Sequence, residues 1–260
     1  MMIRRALLVL LLCALPAGAQ DSHLRSLQTG DDSRGWNAVG RLNLGRRGFC
    51  TGTLIAPDLV LTAGHCLFDK TTGARIDPTT IEFLAGWRNG RAEAYRGVRR
   101  AIAHPDFVYG GDERLDRVSH DLALLQLDRP IRMTSIEPFG IGDQPQRGDT
   151  VGVVSYAKDR AEAPSMQDAC EVLGQKPEML VLTCDVDFGS SGAPVFSIRG
   201  GIARVVSVVS AKAEVEGRKV ALGTSLAKPL EDLRQAIAQE VRPGKVRVLS
   251  GGGAGTFIKP

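Results

Sequence analysis

Long apolar runs are missing from this 260-residue sequence. The one near its start, Ala6 to Leu12, falls far below the roughly 20 residues needed to cross a bilayer, and nothing later is apolar enough to try. No membrane partner is expected. Concentrated charge is missing too. The formal net charge of +4 falls to +2 once Arg4 and Arg5 leave with a signal segment, and the remaining basic residues are scattered. That excludes the electrostatic footprint of a nucleic-acid binder. The short run Arg96 to Arg100 reads as the decoration of a solvated strand. Histidines number four, and no two cysteines stand in a C-x-x-C pair, so a metal site of cysteine ligands is not expected. No metal and no organic cofactor is expected. No internal repeat is visible.

What is present begins with an export signal. Arg4 and Arg5 form a basic start, an apolar segment follows, and Ala17-Gly18-Ala19 fits the small-x-small cleavage rule. Residues 1–19 are therefore read as a signal peptide, cut after Ala19. Cys13 is not read as a lipidation site, because Leu12 before it is too large. The mature protein is expected to be secreted or periplasmic. Residues 20–35 are polar and patternless, and are read as a propeptide or a loose amino-terminal segment. Removing Cys13 leaves Cys50, Cys66, Cys170 and Cys184, an even number that in an exported chain suggests two disulfides. Three pairings are open; the local ones close short loops that a two-strand return brings together.

The body of the chain reads as many short strands punctuated by Gly, Pro, Asn and Asp. Ala38 to Leu44, Gly52 to Ala56, Leu59 to Thr62, Ile81 to Leu84, Tyr95 to Ala103 and Leu122 to Leu127 form a first group. Thr150 to Tyr156, Met179 to Cys184, Ala193 to Ile198, Arg204 to Ala211 and Val220 to Ser225 form a second. Such spacing, with few helical periods between, predicts an all-β protein of antiparallel barrels or sandwiches. Leu230, Leu233 and Ile237 recur at helical spacing behind Pro229, which predicts one helix over 229–241. Residues 242–260 are read as a flexible Gly-rich tail, in which Val246 to Leu249 is the one candidate strand.

Three segments carry chemistry. In Leu61-Thr62-Ala63-Gly64-His65-Cys66, an imidazole sits among small residues beside a cysteine. In His120-Asp121-Leu122-Ala123-Leu124-Leu125, a carboxylate opens an apolar strand. In Gly189-Ser190-Ser191-Gly192-Ala193-Pro194, a serine lies in a turn with glycines on either side. Acyl transfer needs these parts: a hydroxyl activated by a neighbouring imidazole, a carboxylate that fixes the tautomer, and backbone N–H groups aimed at the developing oxyanion. The remaining candidates take plainer readings. His104, before Pro105, is read as a turn or surface histidine. His120 is expected to point away from the side that Asp121 faces, and His23 lies in the loose start. Trp36 and Trp87 are read as core or barrel-rim aromatics.

Together, and in the order His, Asp, Ser, the three segments resemble the chymotrypsin-like serine peptidases, over Trp36 to about Glu240. The resemblance implies two antiparallel six-stranded β-barrels, about 36–135 and 136–227, with the active site between them and the C-terminal helix packed outside. It implies a serine endopeptidase acting on a protein or peptide substrate, read here as a monomer. By it, Ser191 is the nucleophile, His65 the general base and acid, and Asp121 the orienting carboxylate. The N–H groups of Gly189 and Ser191 form the oxyanion hole, and Cys50 pairs with Cys66. Ser190 stands where animal digestive members carry an aspartate that pairs with a new amino terminus. Gly-Ser-Ser-Gly-x-Pro, and Cys170–Cys184 ahead of Asp185, resemble instead the bacterial branch that includes the glutamyl endopeptidases. That branch draws its glutamate selectivity from a histidine in the pocket strand, and Ser207-Val208-Val209-Ser210-Ala211 holds none.

Substrate-binding candidates are Asp185, Ser210 and Lys212. Asp185 lies six residues before Ser191, the spacing of a carboxylate at the base of a pocket for basic side chains, although a structural role is the commoner use of such a residue. Ser210 is read as offering its backbone to an extended substrate, and Lys212 as covering the pocket or attracting acidic side chains. An α/β-hydrolase esterase is excluded: Ala193 breaks the G-x-S-x-G elbow, and the chain order there is Ser, acid, His. A catalytically silent relative kept for binding or as a scaffold is the alternative reading.

Overall fold

Alternating burial along short strands generates the architecture. In the computed structural model, which describes residues 24–110 and 114–241, β1 is Arg25–Ser26, β2 Val39–Leu44, β3 Phe49–Ala56, β4 Leu59–Thr62, β5 Ile81–Ala85, β6 Ala94–Ala103 and β7 Ala123–Leu127. The second half contributes β8 Thr150–Ala157, β9 Arg160–Lys176, β10 Met179–Leu182, β11 Pro194–Arg199, β12 Ile202–Val215 and β13 Arg218–Ser225. Two helices, α1 Arg114–His120 and α2 Ala227–Val241, complete the set. The expected signal peptide, His23 and the Gly-rich tail lie outside the described residues.

All pairings between strands are antiparallel. The first barrel closes in the order β2-β3-β4-β7-β6-β5. The second runs β8-β9-β10-β13-β12-β11 and closes because β8 pairs with both β9 and β11. Closure removes the exposed edges that open sheets must protect. Buried apolar side chains from the strands fill both barrels. In the first barrel these include Val39, Leu42, Leu54, Leu61, Phe83 and Leu125; in the second, Val151, Val153, Val172, Leu180, Val195 and Val206. Tyr156 and Phe196 of the second barrel join the first barrel's core, so one apolar body runs through the interface between the two. The six-stranded double barrel is thus as the resemblance implied.

Three differences from the sequence reading have physical causes. The 17-residue β9 was not expected, since its run from Arg160 to Lys176 is polar and interrupted by Pro164. It is held by partners on both sides, and irregular register against β8 absorbs the mismatch. The segment up to Gly35 is not loose where it is described. Arg25 and Ser26 pair with Met166 and Ser165 of β9, and Leu27 is wholly buried beyond them. The third is α1, between β6 and β7, whose seven residues offer only Leu115 and Val118 as an apolar pair, too short a run to announce a helix. Helix α2 begins two residues earlier than expected and lies against β6 and β7, burying Leu230 and Leu233. The carboxy-terminal helix therefore returns to the first barrel.

Candidate active site

His65 sits just past β4, in a short 3-10 helix, Gly64–Leu67. Small residues are required there, because a side chain on Gly64 would stand 3.2 Å from Asp121 Oδ1 and from the Phe107 ring. The disulfide Cys50–Cys66 ties this turn to β3, with Cα atoms 6.3 Å apart.

Asp121 occupies the turn between α1 and β7 and is 3 % exposed. Its two oxygens are fully engaged. Oδ1 accepts from the His65 backbone N–H at 2.7 Å, and Oδ2 lies 2.6 Å from His65 Nδ1. Oδ2 also accepts from Ser210 Oγ at 2.5 Å. The backbone of the same turn is pinned from the second barrel, where Thr224 Oγ1 donates to the carbonyls of Val118 (2.6 Å) and Asp121 (3.3 Å). A buried carboxylate with hydrogen-bond partners on both oxygens is fixed in orientation. It dictates that His65 Nδ1 carries the proton and leaves Nε2 as the basic nitrogen.

Ser191 arrives from the other barrel, in the turn before β11. Its carbonyl accepts from Thr51 N–H at 2.8 Å, while Gly192 N–H donates to Val209 at 2.8 Å and Ala193 N–H to Ser190 at 2.9 Å. Gly189 and Gly192 have φ of +98° and +79°, conformations open to glycine but strained for other residues. Space forbids side chains there as well: a Cβ on Gly189 would lie 2.3 Å from Phe49, and one on Gly192 only 2.1 Å from Thr62 Oγ1. Ser190 is fully buried, and its hydroxyl lies between Ser155 Oγ (3.2 Å), Tyr156 O (3.3 Å) and Asp187 N–H (3.3 Å). Among the described residues the position is therefore satisfied by neutral partners.

The turn leaves two donors over. Among the described residues neither Gly189 N–H nor Ser191 N–H has a hydrogen-bond acceptor. The Phe188 carbonyl accepts from Lys158 N–H at 2.8 Å. In a trans peptide the N–H points opposite to the C=O, so that bond turns Gly189 N–H the other way.

His65 and Ser191, from the two barrels, line one pocket of about 190 Å³. No hydrogen bond joins them among the described residues; catalytic pairs of this kind often close only in the substrate complex. The pocket is completed by Val209, Ser210, Ala211, Lys212, Asp187, Phe188 and Lys70. Lys212 Nζ donates to Asp187 Oδ1 at 2.7 Å and lies 4.5 Å from the centre of the Phe188 ring. Lys70 approaches the same ring at 5.4 Å. The Lys212 ammonium is the main reason the Asp187 carboxyl is held below its ordinary value. Lys70 and Phe188 are features the sequence reading did not single out, and only their meeting across the cleft makes them visible.

Three sequence expectations need correction. Asp185 is exposed and lines a neighbouring cleft with Gln167, Thr183 and Lys219, not the pocket shared by His65 and Ser191. Its backbone N–H is held by Gln167 Oε1 at 2.7 Å, which leaves the side chain in solvent despite the spacing of six residues from Ser191. His104 does open a turn, its carbonyl accepting from Phe107 N–H at 2.9 Å, but not at the surface: it is 3 % exposed, with its ring against His120. His120, expected on an extended strand, instead ends α1, with its ring 5.0 Å from that of His104. The disulfide Cys170–Cys184 forms, with Cα atoms 5.0 Å apart. Of the tryptophans, Trp36 packs edge-on to Phe196, and Trp87 Nε1 donates to the Ala161 carbonyl.

A family model described as a trypsin-like peptidase domain matches residues 50–203. The glutamyl endopeptidase of Bacillus licheniformis is 29% identical over 151 residues, covering 57% of this chain and 45% of that protein. Mast cell protease 3 of Ovis aries is 35% identical over 130 residues, 49% of this chain and 47% of that one. The chain thus matches less than half the length of these relatives. A solved structure of a Glu endopeptidase in complex with MPD aligns over 83% of this chain and 97% of its own, with a TM-score of 0.66 at 19% identity. That last likeness is one of fold. With the family model spanning more than half of the sequence, the chain belongs to the trypsin-like peptidase family.

Proposed function

We propose that the protein is an exported serine endopeptidase that cleaves protein or peptide substrates through His65, Asp121 and Ser191. The observation that carries the reading is the pair His65 Nδ1–Asp121 Oδ2 at 2.6 Å, with the carboxylate buried and Ser191 on the same pocket. Ser191 Oγ attacks the scissile carbonyl while His65 Nε2 takes its proton. The resulting imidazolium is stabilised by Asp121 and returns the proton to the leaving amine. The acyl-enzyme is then hydrolysed by water with His65 acting again as base. Gly189 N–H and Ser191 N–H, the two donors without acceptors, receive the oxyanion; each such donor is worth about 10²–10³ in rate. The peptidase domain spans about 36–241, preceded by a signal peptide over 1–19, and the mature protein works outside the cytoplasm.

Ser190 in its neutral, satisfied site supports activity that does not depend on burying a new amino terminus. The test is labelling of the purified mature protein with a fluorophosphonate probe, in wild type and Ser191→Ala. Labelling that disappears in the variant establishes an activated serine. A well-folded wild type that takes no label favours the alternative, a silent scaffold of the same family.

A further inference from the structure

Beside the Asp121 turn, two histidines and two aspartates gather from three separate elements. His104 follows β6, with Asp106 two residues on; His120 ends α1; Asp232 belongs to α2. A ring nitrogen of His104, one of His120 and a carboxylate oxygen of Asp106 all lie within 4.8 Å of one another. The two rings are 5.0 Å apart between centroids, tilted by 30°. His104 Nδ1 is 4.0 Å from Asp106 Oδ2, and His104 Nε2 is 3.6 Å from Asp232 Oδ2.

The tautomer of His104 is set by its neighbours. Nδ1 accepts from the Asp106 backbone N–H at 3.2 Å, so in the neutral ring Nε2 carries the proton. That Nε2 is buried and lacks a hydrogen-bond partner at the present separation, although a carboxylate stands just beyond reach. A polar proton left in this state is costly, and such a group calls for an explanation. Nδ1 lies on the Asp106 side of the ring, and Nε2 on the Asp232 side. A metal-bound imidazole has this arrangement: one nitrogen on the ion, the other donating to a carboxylate that orients it.

We propose that His104, His120 and Asp106 form a binding site for a divalent transition-metal ion of the zinc type, with Asp232 as the carboxylate behind His104. Two imidazoles and one carboxylate suit such an ion, and three protein ligands leave a further position for water. His104 is in place and its tautomer already correct; it gives up only the weak bond from Asp106 N–H. His120 and Asp106 move inward by an ångström or so, which their partial and full exposure allows. Among the described residues the other cluster with metal-like spacing, Cys50, His65 and Cys66, is not a competitor, because both sulfurs are consumed in a disulfide.

An ion here joins the end of β6 to the end of α1, and through Asp232 to α2. The ligands also bracket the Asp121 turn: His104 N–H donates to the Leu122 carbonyl at 2.9 Å, and Leu122 N–H to that of His120 at 2.7 Å. Binding therefore stabilises the folded protein at the point where the C-terminal helix meets the first barrel.

The experiment uses the mature protein, free of any histidine tag and stripped with EDTA, titrated with Co²⁺ while the visible absorption and Tm are followed. Expected are saturation at one ion per chain, an intense tetrahedral visible band and a rise in Tm. His120→Asn should abolish the band, and Asp106→Asn should weaken binding by at least about tenfold; both positions are exposed enough to fold. His65→Asn should bind as wild type does. No saturable band in folded wild type overturns the proposal. So does binding that survives both His120→Asn and Asp106→Asn, or that is lost in His65→Asn.

Discussion

Ser210 Oγ donates to Asp121 Oδ2 across 2.5 Å, linking a strand of the second barrel to the carboxylate that holds His65. The bond is buried and its acceptor charged, so it belongs to the stronger class of hydrogen bonds. The sequence reading assigned Ser210 a backbone role only. Its hydroxyl instead supplies a further donor to Asp121, alongside the two from His65.

Removing that donor should therefore slow the reaction without unfolding the protein. A hydrogen bond to a charged group contributes about 1.5–3 kcal/mol, which corresponds to a fall in kcat/KM of about tenfold or more for Ser210→Ala. Peptide hydrolysis, measured at a temperature where the variant stays folded, is the test. Wild-type kcat/KM in the variant would show that the two His65 donors orient Asp121 unaided.

Lys212 is one of two lysines lining the pocket, paired with Asp187 at 2.7 Å but exposed to solvent beside the Phe188 ring. Lys212→Ala should lower cleavage beside acidic side chains relative to neutral ones. The change should be no more than about fivefold, since an exposed charge pair is worth up to about 1 kcal/mol. A peptide-library profile decides it, and an unaltered profile removes Lys212 from substrate selection.

Gly192→Ala should be damaging for two separable reasons. The positive φ alone costs about 1–2 kcal/mol in an L-residue, and the new methyl would collide with Thr62 Oγ1 and the Thr51 carbonyl. A drop in Tm of several degrees is expected, together with loss of fluorophosphonate labelling. Retained labelling would mean that the turn relaxes at little cost.

The two disulfides close loops of similar length, with separations of 16 and 14 residues. Removing either as a double alanine variant should cost a similar amount, about 2–5 kcal/mol. Activity should separate them, because Cys66 adjoins His65 whereas the other bridge fastens β9. At a temperature where both variants stay folded, the Cys50→Ala/Cys66→Ala protein should lose more kcat/KM.

His104 carries a pH dependence of stability. Burial, with His120 beside it, holds its pKa below the ordinary value of 6.5, against the opposing pull of Asp106 and Asp232; Lys228, bonded to Asp232, is the other charge nearby. The folded state therefore resists protonation while the unfolded chain accepts a proton below about pH 6.5. Stability is full above that value and falls as pH drops below it. Tm measured in EDTA from pH 7.5 to 5 should decline, and His104→Gln should flatten the decline in that window. An equal slope in the variant would assign the effect elsewhere.

Much of this protein was fixed locally. Short alternating strands broken by glycine and proline dictate an antiparallel all-β fold, because each must bury one face. The small residues around His65, and the glycines around Ser191, are demanded by crowding and positive φ at those same positions, so the chemistry could be read from the motifs. Other features depended on residues far apart in sequence. Ser210 meets Asp121 over 89 positions, Phe188 gathers Lys70 and Lys212, and His104 finds His120 and Asp232 only when α2 returns to the first barrel. Strand β9 and the docking of Leu27 likewise have no local signature: a polar strand and a patternless start are held by partners the sequence does not adjoin. Periodicity reports which face of an element is buried. Which groups meet across the two barrels is decided by closure and packing, and the side of Asp185 and the burial of His104 were settled there.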